Sequence, residues 1–414
     1  MKLVEQHIIK KNNIYYKELD KLCFLSKNLY NIALYEIRQQ YFKDKTFLNY
    51  YAVNRLLHDR HDENYFALPS NTSQETLKLV SNNYKSFFKL VSSKKVDKVK
   101  IPGYLDKESG RQVVVYNKMT LSKNYLDKGI IKLPKSNIEF KSNKCNKICQ
   151  VRIIPSNNHI VLEVVYEENE AILKNDNNKY LSIDLGINNL ATCTSNVINS
   201  FIINGRHVKS INQYYNKTKA YLQSKLKNKY TSNKIYKLTF KRNNKIKDYF
   251  HKTSSYIVNQ AVSNDLNTIV IGKNVGWKQD INIGKKNNQT FTQIPFDLLI
   301  KLISYKAKLK GINVILQEES YTSKVSFFDN DYIPTYGTDD DKLNASGKRI
   351  KRGLYKTKTS ALINADVNGS LNILRKYLKV SSDQIINVGS RGFVTNPLVV
   401  NISNSPKINN IKIF

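Results

Sequence analysis

Three short apolar segments, separated by helical patterns, constrain the second half of the chain most strongly. Residues 180–184, 268–271 and 312–316 each have the length and composition of a strand. Strands that alternate with helices favour a partly parallel sheet, with functional loops where the strands end. We therefore predict an α/β domain over residues 178–378, entered through a polar linker at residues 168–179.

The first half of the chain has a different periodicity. Residues 2–10 are typical of a strand, helical patterns follow to residue 97, and residues 112–167 alternate with period two. Within the helical region, the capping box Thr72-Ser73-Gln74-Glu75 predicts a helix start. We predict a small β-barrel from residues 1–13 and 98–170, with residues 14–97 as a helical insertion. The fold class is then multidomain α+β, with a charge-poor tail at 380–414.

The charge of the chain points to a polyanionic partner. Its 67 Lys and Arg residues against 33 Asp and Glu leave a formal charge of +34, spread along the whole length. Such a surface repels itself unless nucleic acid or another polyanion covers it. No apolar run approaches the roughly 18 to 20 residues of a membrane helix, and residues 1–7 contain no apolar signal core. We expect a cytosolic protein with no membrane partner.

Three clusters of basic residues are candidates for contact with nucleic acid. A solvated surface is the ordinary alternative for each, but phosphate neutralisation is the simplest way to tolerate such density. One cluster follows the helical region, one lies on a helix whose opposite face is apolar, and one lies in the charged loop 324–362. The candidates are Lys94, Lys95, Lys98, Lys100, Lys241, Arg242, Lys245, Lys348, Arg349, Lys351 and Arg352.

Two aspartates occupy positions where a carboxylate is informative in so basic a chain. Asp184 follows Leu181 and Ile183 in an apolar segment, where an unpaired charge costs several kcal/mol. Asp366 lies in the predicted first turn of a helix. A loop-capping role for the first and a helix-dipole role for the second are the ordinary alternatives. Either residue alone would not establish a metal site.

The segments around these aspartates resemble a known family. Residues 182–187 (SIDLGI) and 364–374 (NADVNGSLNIL) resemble the first and third RuvC motifs of TnpB (OrfB) proteins, insertion-sequence relatives of type V CRISPR effectors and Fanzors. Residues 321–324 (YTSK) resemble the segment that follows the fifth strand in that family. The family's wedge barrel, helical recognition domain and RNase H-like RuvC domain then correspond to residues 1–13 with 98–170, 14–97 and 178–378.

The resemblance implies an RNA-guided DNA endonuclease. Its guide RNA would come from the end of its own element, and its target would be double-stranded DNA beside a short flanking motif. Converging carboxylates would hold two Mg²⁺ ions, with Mn²⁺ as a possible substitute. A nuclease-inactive RNA-guided repressor and an RNase H-fold transposase stay open as alternatives. A separate transposase encoded by the same element is a further possible partner.

The chain departs from the family at its second RuvC motif. Most TnpB proteins carry a glutamate at the end of the fourth strand, but here Ile271 is followed by Gly272. The next strand ends in Gln317-Glu318-Glu319-Ser320, and Glu319 matches the glutamate of a rearranged Glu-x-x-Thr-Ser pattern. We predict that Glu319 completes the site with Asp184 and Asp366, since Gly272 clears its path. Glu318 is the alternative acid, expected to point to the opposite face by strand alternation.

The second departure concerns zinc. TnpB proteins usually carry two Cys-x-x-Cys pairs between the second and third motifs, but residues 324–363 contain no cysteine. The four cysteines of the chain are scattered and expected to be reduced. We expect no zinc there, and a basic loop in place of the zinc ribbon.

Overall fold

The computed structural model describes residues 1–93, 98–227, 230–274, 276, 284–385 and 396–402, of which Lys285 and Lys286 are described in backbone only. Lys94 and Lys95 lie outside the described residues, as does most of the predicted tail. The chain divides after Asn169 into two compact units. None of the described helices combines the length and hydrophobicity needed to span a bilayer.

The first unit is built on an antiparallel sheet of four strands in the order β1, β6, β5, β2. A two-stranded ribbon of β3 and β4 is not hydrogen-bonded into this sheet but packs in the same core, through Ile131 and Phe140. The strands are β1 (Lys2–Lys10), β2 (Val114–Asn117), β3 (Ile130–Lys132), β4 (Glu139–Lys141), β5 (Ile148–Pro155) and β6 (His159–Glu167). Among the described residues no pairing joins β1 to β2. The predicted barrel is therefore an open sheet, with β1 and β2 as its edges.

Helices occupy the interval between the first two strands of that sheet. They are α1 (Tyr16–Asp44), α2 (Tyr50–Asp59), α3 (Glu63–Phe66) and α4 (Ser70–Ser93), and a short α5 (Lys123–Asp127) follows β2. The predicted capping box was wrong, because α4 begins at Ser70 and Thr72 lies in its first turn. The amides of Thr72 and Ser73 donate to the Pro69 carbonyl, at 2.8 and 3.0 Å. Pro69 thus sets the start of the helix.

The second unit contains a six-stranded sheet in the order β11, β10, β7, β8, β9, β15. Strands β11, β10 and β7 are parallel, whereas β8 is antiparallel to both of its neighbours. The strands are β7 (Tyr180–Leu185), β8 (Asn189–Ser195), β9 (Phe201–Asn204), β10 (Thr268–Gly272), β11 (Asn313–Gln317) and β15 (Leu398–Val400). The sequence did not predict β9 or its parallel partner β15.

Two layers of helices cover the sheet of the second unit. Helices α6 (Arg206–Ser224), α7 (Asn233–Ser263), α8 (Lys285–Thr292) and α9 (Phe296–Lys308) precede β11, and α10 (Ala365–Leu378) and α11 (Ser382–Ile385) follow the last hairpin. Leu181, Ile183 and Ile271 pack in one core with α7 and α9. Tyr180 and Val270 pack in another with α10. Because side chains alternate along a strand, the α10 face also receives Ser182 and Asp184.

The predicted basic loop 324–362 is partly ordered as strands. Strands β12 (Lys348–Lys351), β13 (Leu354–Lys356) and β14 (Leu362–Asn364) form a small antiparallel sheet. Tyr355 is fully buried and, with Ile363 and Ala365, forms the core of this sheet. The hairpin that carries the basic residues is thus continuous with the start of α10.

Candidate active site at the ends of the parallel strands

Asp184 lies near the carboxyl end of β7, on the sheet face covered by α10. Helix α10 approaches closely here, since a Cβ added to Gly369 would lie 3.0 Å from the Asp184 Oδ2 atom. Burial, followed by the neighbouring charge of Asp366, raises the pKa of Asp184 to about 7. No side-chain hydrogen bond to this carboxylate is formed by the part of the chain that is described. Asp184 is therefore an acid held without a local partner.

Glu319 follows β11, two residues beyond the Gln317 that pairs with Gly272 of β10. Its carboxylate occupies the space that a Cβ at Gly272 would need. Burial first, and then the charges of Asp184 and Glu318, raise the pKa of Glu319 to about 8. The acid from the fifth strand thus reaches across the tip of the fourth strand toward Asp184, as the sequence predicts.

Glu318 does not point to the opposite face of the sheet, as strand alternation predicts, but toward α10, the helix that covers the Asp184 face. It forms an ion pair with Lys376 of α10, and the Ser320 amide donates to its Oε1 atom at 2.7 Å. Burial alone would raise its pKa, but the hydrogen bonds from Lys376 and Ser320 lower it below the ordinary value. Glu318 therefore has its own positively charged partner and does not join the unpaired acids.

Asp366 lies in the first turn of α10, where Asn364 caps the helix and accepts from the Asp366 amide at 3.0 Å. Its two oxygens have different partners. Arg349 of β12 donates to Oδ1 at 3.0 Å, and Asn189 of β8 donates to Oδ2 at 2.6 Å. Arg349 was predicted from the sequence to contact nucleic acid, but in the structure it contacts this acid.

A buried hydroxyl cluster fixes α10 to the strand that carries Asp184. Ser182 and Thr194 share a hydrogen bond of 2.7 Å, and Ser182 donates to the Ser370 carbonyl at 2.8 Å. The Ser370 hydroxyl in turn lies 2.9 Å from that of Thr194. Since all three side chains are fully buried, this cluster sets the position of Asp184 relative to Asp366.

Two buried amides on α10 hold the segment that follows Glu319. Asn372 donates to the carbonyls of Thr322 and Val325, both at 2.9 Å. Asn368 donates to the Val325 carbonyl at 2.8 Å, and the Thr322 hydroxyl donates to the Glu319 carbonyl at 2.8 Å. Sequence reasoning missed this role, although their spacing of four residues places both amides on one face of the helix.

The donor atoms at this site fit a hard divalent cation, because all three acids offer oxygen, and the carboxylates of Asp184 and Glu319 have no hydrogen-bond or ion-pair partner among the described residues. Among the described residues, however, no three His, Cys, Asp or Glu side chains form a ready-made ligand cluster. Both oxygens of Asp366 accept hydrogen bonds, from Arg349 and Asn189. A metal that used all three acids would have to displace at least one of these contacts.

The other predicted basic residues lie on separate surfaces. Lys98 and Lys100 are exposed in the first unit, and Lys348, Lys351 and Arg352 are exposed near the small hairpin sheet. On α7, Lys241 and Lys245 are exposed, whereas Arg242 is partly buried. Arg242 donates to Asn212 at 2.8 Å and to the Gln293 carbonyl at 2.7 Å. Its guanidinium is thus used within the protein, and the nucleic-acid roles of the others stay predictions.

Comparison with known proteins identifies the family. Residues 163–278 match the OrfB_IS605 family, described as a probable transposase, and residues 296–373 match the Cas12f1-like TNB domain. The chain is a relative of TnpB. The TnpB-like protein MJ0751 of Methanocaldococcus jannaschii is 26% identical over 190 residues, which cover 45% of this chain and 63% of that protein.

Other matches of this TnpB relative are with Cas12 proteins. The CRISPR-associated endodeoxyribonuclease Cas12f2 of a Micrarchaeota archaeon is 32% identical over 164 residues, which cover 38% of this chain and 28% of the relative. Among solved structures, CRISPR-Cas_phi3 shares 10% identity at a TM-score of 0.46, covering 91% of this chain and 92% of that one. A Cas12f1–sgRNA–target DNA complex shares 15% identity at a TM-score of 0.36, covering 91% and 100%.

Proposed function

We propose that this TnpB relative is an RNA-guided, metal-dependent DNA endonuclease. The guide RNA would derive from the end of its own element, and the target would be double-stranded DNA beside a short flanking motif. Its relatives are named as a probable transposase and as a CRISPR-associated endodeoxyribonuclease. Because the matches span only part of those proteins, the activity of the whole chain is an inference from its own site.

The observation that carries the proposal is the accumulation of unpaired acid at one edge of the sheet. Burial raises the pKa of both Asp184 and Glu319; the charge of Asp184 raises the pKa of Glu319 further, and the charge of Asp366 raises that of Asp184. Like charges held together in a partly buried site destabilise the protein unless a cation binds there. A purely structural role would instead pair each carboxylate, as Lys376 pairs Glu318.

Each group of residues at the site would have its own role in cleavage. Asp184, Glu319 and Asp366 would hold Mg²⁺ or Mn²⁺, which when bound supplies an activated water and charge stabilisation at the leaving oxygen. The Ser182, Thr194 and Ser370 hydroxyls keep β7 and α10 in register. The exposed lysines would grip phosphates without reading sequence, and base pairing with the guide would select the target.

The test is a cleavage assay on protein that has been co-expressed with RNA from its element end. We expect Asp184→Ala, Glu319→Ala and Asp366→Ala each to abolish Mg²⁺-dependent cutting while RNA-guided DNA binding is retained. Glu318→Ala is the matched control, since it removes the adjacent acid from the same strand end. Full activity of any of the first three variants removes that residue from the site.

Two other outcomes would replace the proposal. Guided DNA binding without cutting by the wild-type protein would indicate a repressor, as the missing glutamate at position 272 suggests. Strand joining in the absence of RNA would indicate a transposase. Sequencing of co-purified RNA separates these results, because a defined bound RNA is expected for the endonuclease and for the repressor only.

A further inference from the structure

The helical hairpin of α6 and α7 carries an unusual charge. Helix α6 contains four Lys or Arg residues and no acid, and α7 contains seven with a single acid, Asp248. A concentration of this kind in two packed helices creates a strongly positive potential along their shared surface. This surface complements a polyphosphate chain.

A cavity of about 350 Å³ opens between the two helices of this hairpin. Partly buried Ile211 and Leu238 contribute apolar surface, while Tyr214, Lys241 and Lys245 line it from exposed positions. The Tyr214 side chain is 67% exposed. The volume lies at the small end of the range of roughly 300 to 1,000 Å³ for ligand sites, so one planar ring fits and a duplex does not.

The two lysines of this cavity are available for a ligand. No ion pair or hydrogen bond to the ammonium groups of Lys241 and Lys245 is formed within the described ranges, whereas Lys252 on the same helix is paired with Asp248 at 2.8 Å. Arg242, which lies between the two lysines, makes its contacts within the protein. The cavity thus combines an exposed aromatic ring with two unpaired cations.

The cavity lies on the side of the sheet opposite to the acids. Helix α7 packs on the face that receives Leu181 and Ile183, and Asp184 points to the α10 face. A strand bound in the α6–α7 cavity would therefore lie across the sheet from the carboxylates. This placement favours a nucleic acid that is held rather than cut.

We propose that the α6–α7 cavity binds one unpaired nucleobase of the guide RNA, stacked on Tyr214, with its flanking phosphates on Lys241 and Lys245. This inference rests on the proposed function, since it takes the held strand to be RNA. Stacking on an aromatic ring accepts any base, and lysines recognise phosphate without regard to sequence. The cavity would then anchor a single-stranded part of the RNA.

The test uses full-length protein with Asp184→Ala, in the presence of EDTA, so that no probe is cut. The probes are a fluorescein-labelled oligouridylate, the matching oligothymidylate and a blunt RNA duplex of the same length. We expect Tyr214→Ala to weaken oligouridylate binding about 10-fold and Tyr214→Phe to retain it. The Lys241→Ala, Lys245→Ala double variant should reduce the slope of log Kd against log salt by about 1.4.

Matched controls separate this cavity from the general positive charge. Tyr51→Ala removes another exposed tyrosine, on α2, and Lys252→Ala removes a paired lysine from α7; neither should change the Kd by more than about 2-fold. In parallel, photo-crosslinking with 4-thiouridine RNA should label the peptide that contains Tyr214. Crosslinks confined to other peptides would overturn the proposal, as would unchanged binding by Tyr214→Ala.

Failure of this inference can be distinguished from failure of the proposed function. If the wild-type protein co-purifies a defined RNA and cuts DNA, but Tyr214→Ala binds normally, only the cavity assignment fails. If Tyr214→Ala weakens oligothymidylate and leaves oligouridylate unchanged, the cavity serves DNA and the RNA assignment is wrong. If the wild-type protein binds no RNA at all, the proposed function fails first.

Discussion

The carboxylate of Glu319 lies directly against Gly272, in the space that any side chain at position 272 would need. The absence of a Cβ at position 272 also leaves room for Ile373 of α10. A Cβ added at that position would lie 2.5 Å from the Ile373 Cδ1 atom. The absence of a glutamate on the fourth strand and the presence of one beyond the fifth strand are therefore physically linked. One residue makes the space that the other fills.

The first prediction follows from this link. Glu319→Ala should abolish cleavage, and Gly272→Glu in that background should restore measurable activity by returning an acid to the tip of β10. Because Ile373 crowds the new side chain, adding Ile373→Val should increase the rescued rate further. Gly272→Glu alone should impair the enzyme, since two glutamates would compete for one space and repel each other. Single-turnover cleavage rates measure all four variants.

The control for this series is Glu318, which lies beside Glu319 in sequence but pairs with Lys376. Glu318→Ala should cleave within about 3-fold of the wild type, because the Glu318 carboxylate is held by Lys376 and is not one of the proposed metal ligands. Loss of cutting in Glu318→Ala together with normal cutting in Glu319→Ala would reverse the assignment. Normal cutting in both would show that no glutamate has migrated to this edge.

The second prediction concerns stability and pH in the metal-free protein. Burial and Asp366 raise the folded-state pKa of Asp184 to about 7 from an ordinary value of 3.8. Between these values the folded state binds more protons than the unfolded state, so the free energy of unfolding falls as pH rises. Asp184→Asn has no titrating carboxyl here, so its free energy of unfolding should fall less between these pH values. By about pH 8.5 it should exceed the free energy of unfolding of the wild type by roughly 2 to 4 kcal/mol.

Urea unfolding in EDTA at about pH 4, pH 6 and pH 8.5 measures this difference. Glu318→Gln serves as the control, because partners lower the pKa of Glu318 and its loss should not produce the same gain at high pH. A stability difference between Asp184→Asn and the wild type that is constant across the three pH values would contradict the assigned pKa.

The third prediction concerns Arg349, which donates to Asp366 Oδ1 at 3.0 Å. Its guanidinium competes with a metal ion for that oxygen and repels the ion by charge. At about pH 8.5, Arg349→Ala should therefore bind Mn²⁺ roughly 3- to 10-fold more tightly in protein free of nucleic acid. Arg352→Ala, a neighbour that is exposed beyond the end of β12, should leave the Mn²⁺ affinity unchanged. Equal affinities for the wild type and Arg349→Ala would show that Arg349 does not restrict the site.

The strands and faces of the site were predictable because alternation fixes them. Asp184 shares its face with Ser182 and not with Ile183, as alternation requires. The rule fails at Glu318, just beyond the last paired residue of β11, because Glu318 contacts Lys376 of α10 and not the opposite face. The role of Gly272 was also predictable, since only a residue without a Cβ leaves space for the Glu319 carboxylate. Patterns of period two and single missing side chains are local, so the sequence carries them directly.

Other features depend on partners that are distant in sequence. The start of α4 at Ser70 is set by Pro69 and not by the apparent capping box. The pairing of β15 with β9 joins residues 197 positions apart, and neither segment is distinctive alone. The contact of Arg349 with Asp366 depends on how the hairpin folds back beside α10. No local pattern encodes such contacts.

The last prediction concerns the segment between Glu319 and α10. The Thr322 hydroxyl donates to the Glu319 carbonyl, and the Thr322 carbonyl accepts from Asn372 on the helix that carries Asp366. This chain of hydrogen bonds sets the position of Glu319 relative to Asp366. Thr322→Val keeps the shape of the side chain but removes the donor, so it should weaken Mn²⁺ binding about 10-fold at a stability cost of about 1 kcal/mol.

Thr322→Ser retains the hydroxyl and should restore the Mn²⁺ affinity, which separates positioning from packing. Asn372→Ala should instead destabilise the fold by roughly 1 to 3 kcal/mol, because it removes the side-chain donor to the Thr322 carbonyl and one of the two side-chain donors to the Val325 carbonyl. Mn²⁺ titration and urea unfolding of the same samples distinguish the two effects. If Thr322→Val binds Mn²⁺ as tightly as the wild type, the position of Glu319 does not depend on this hydroxyl, and β11 alone must hold it.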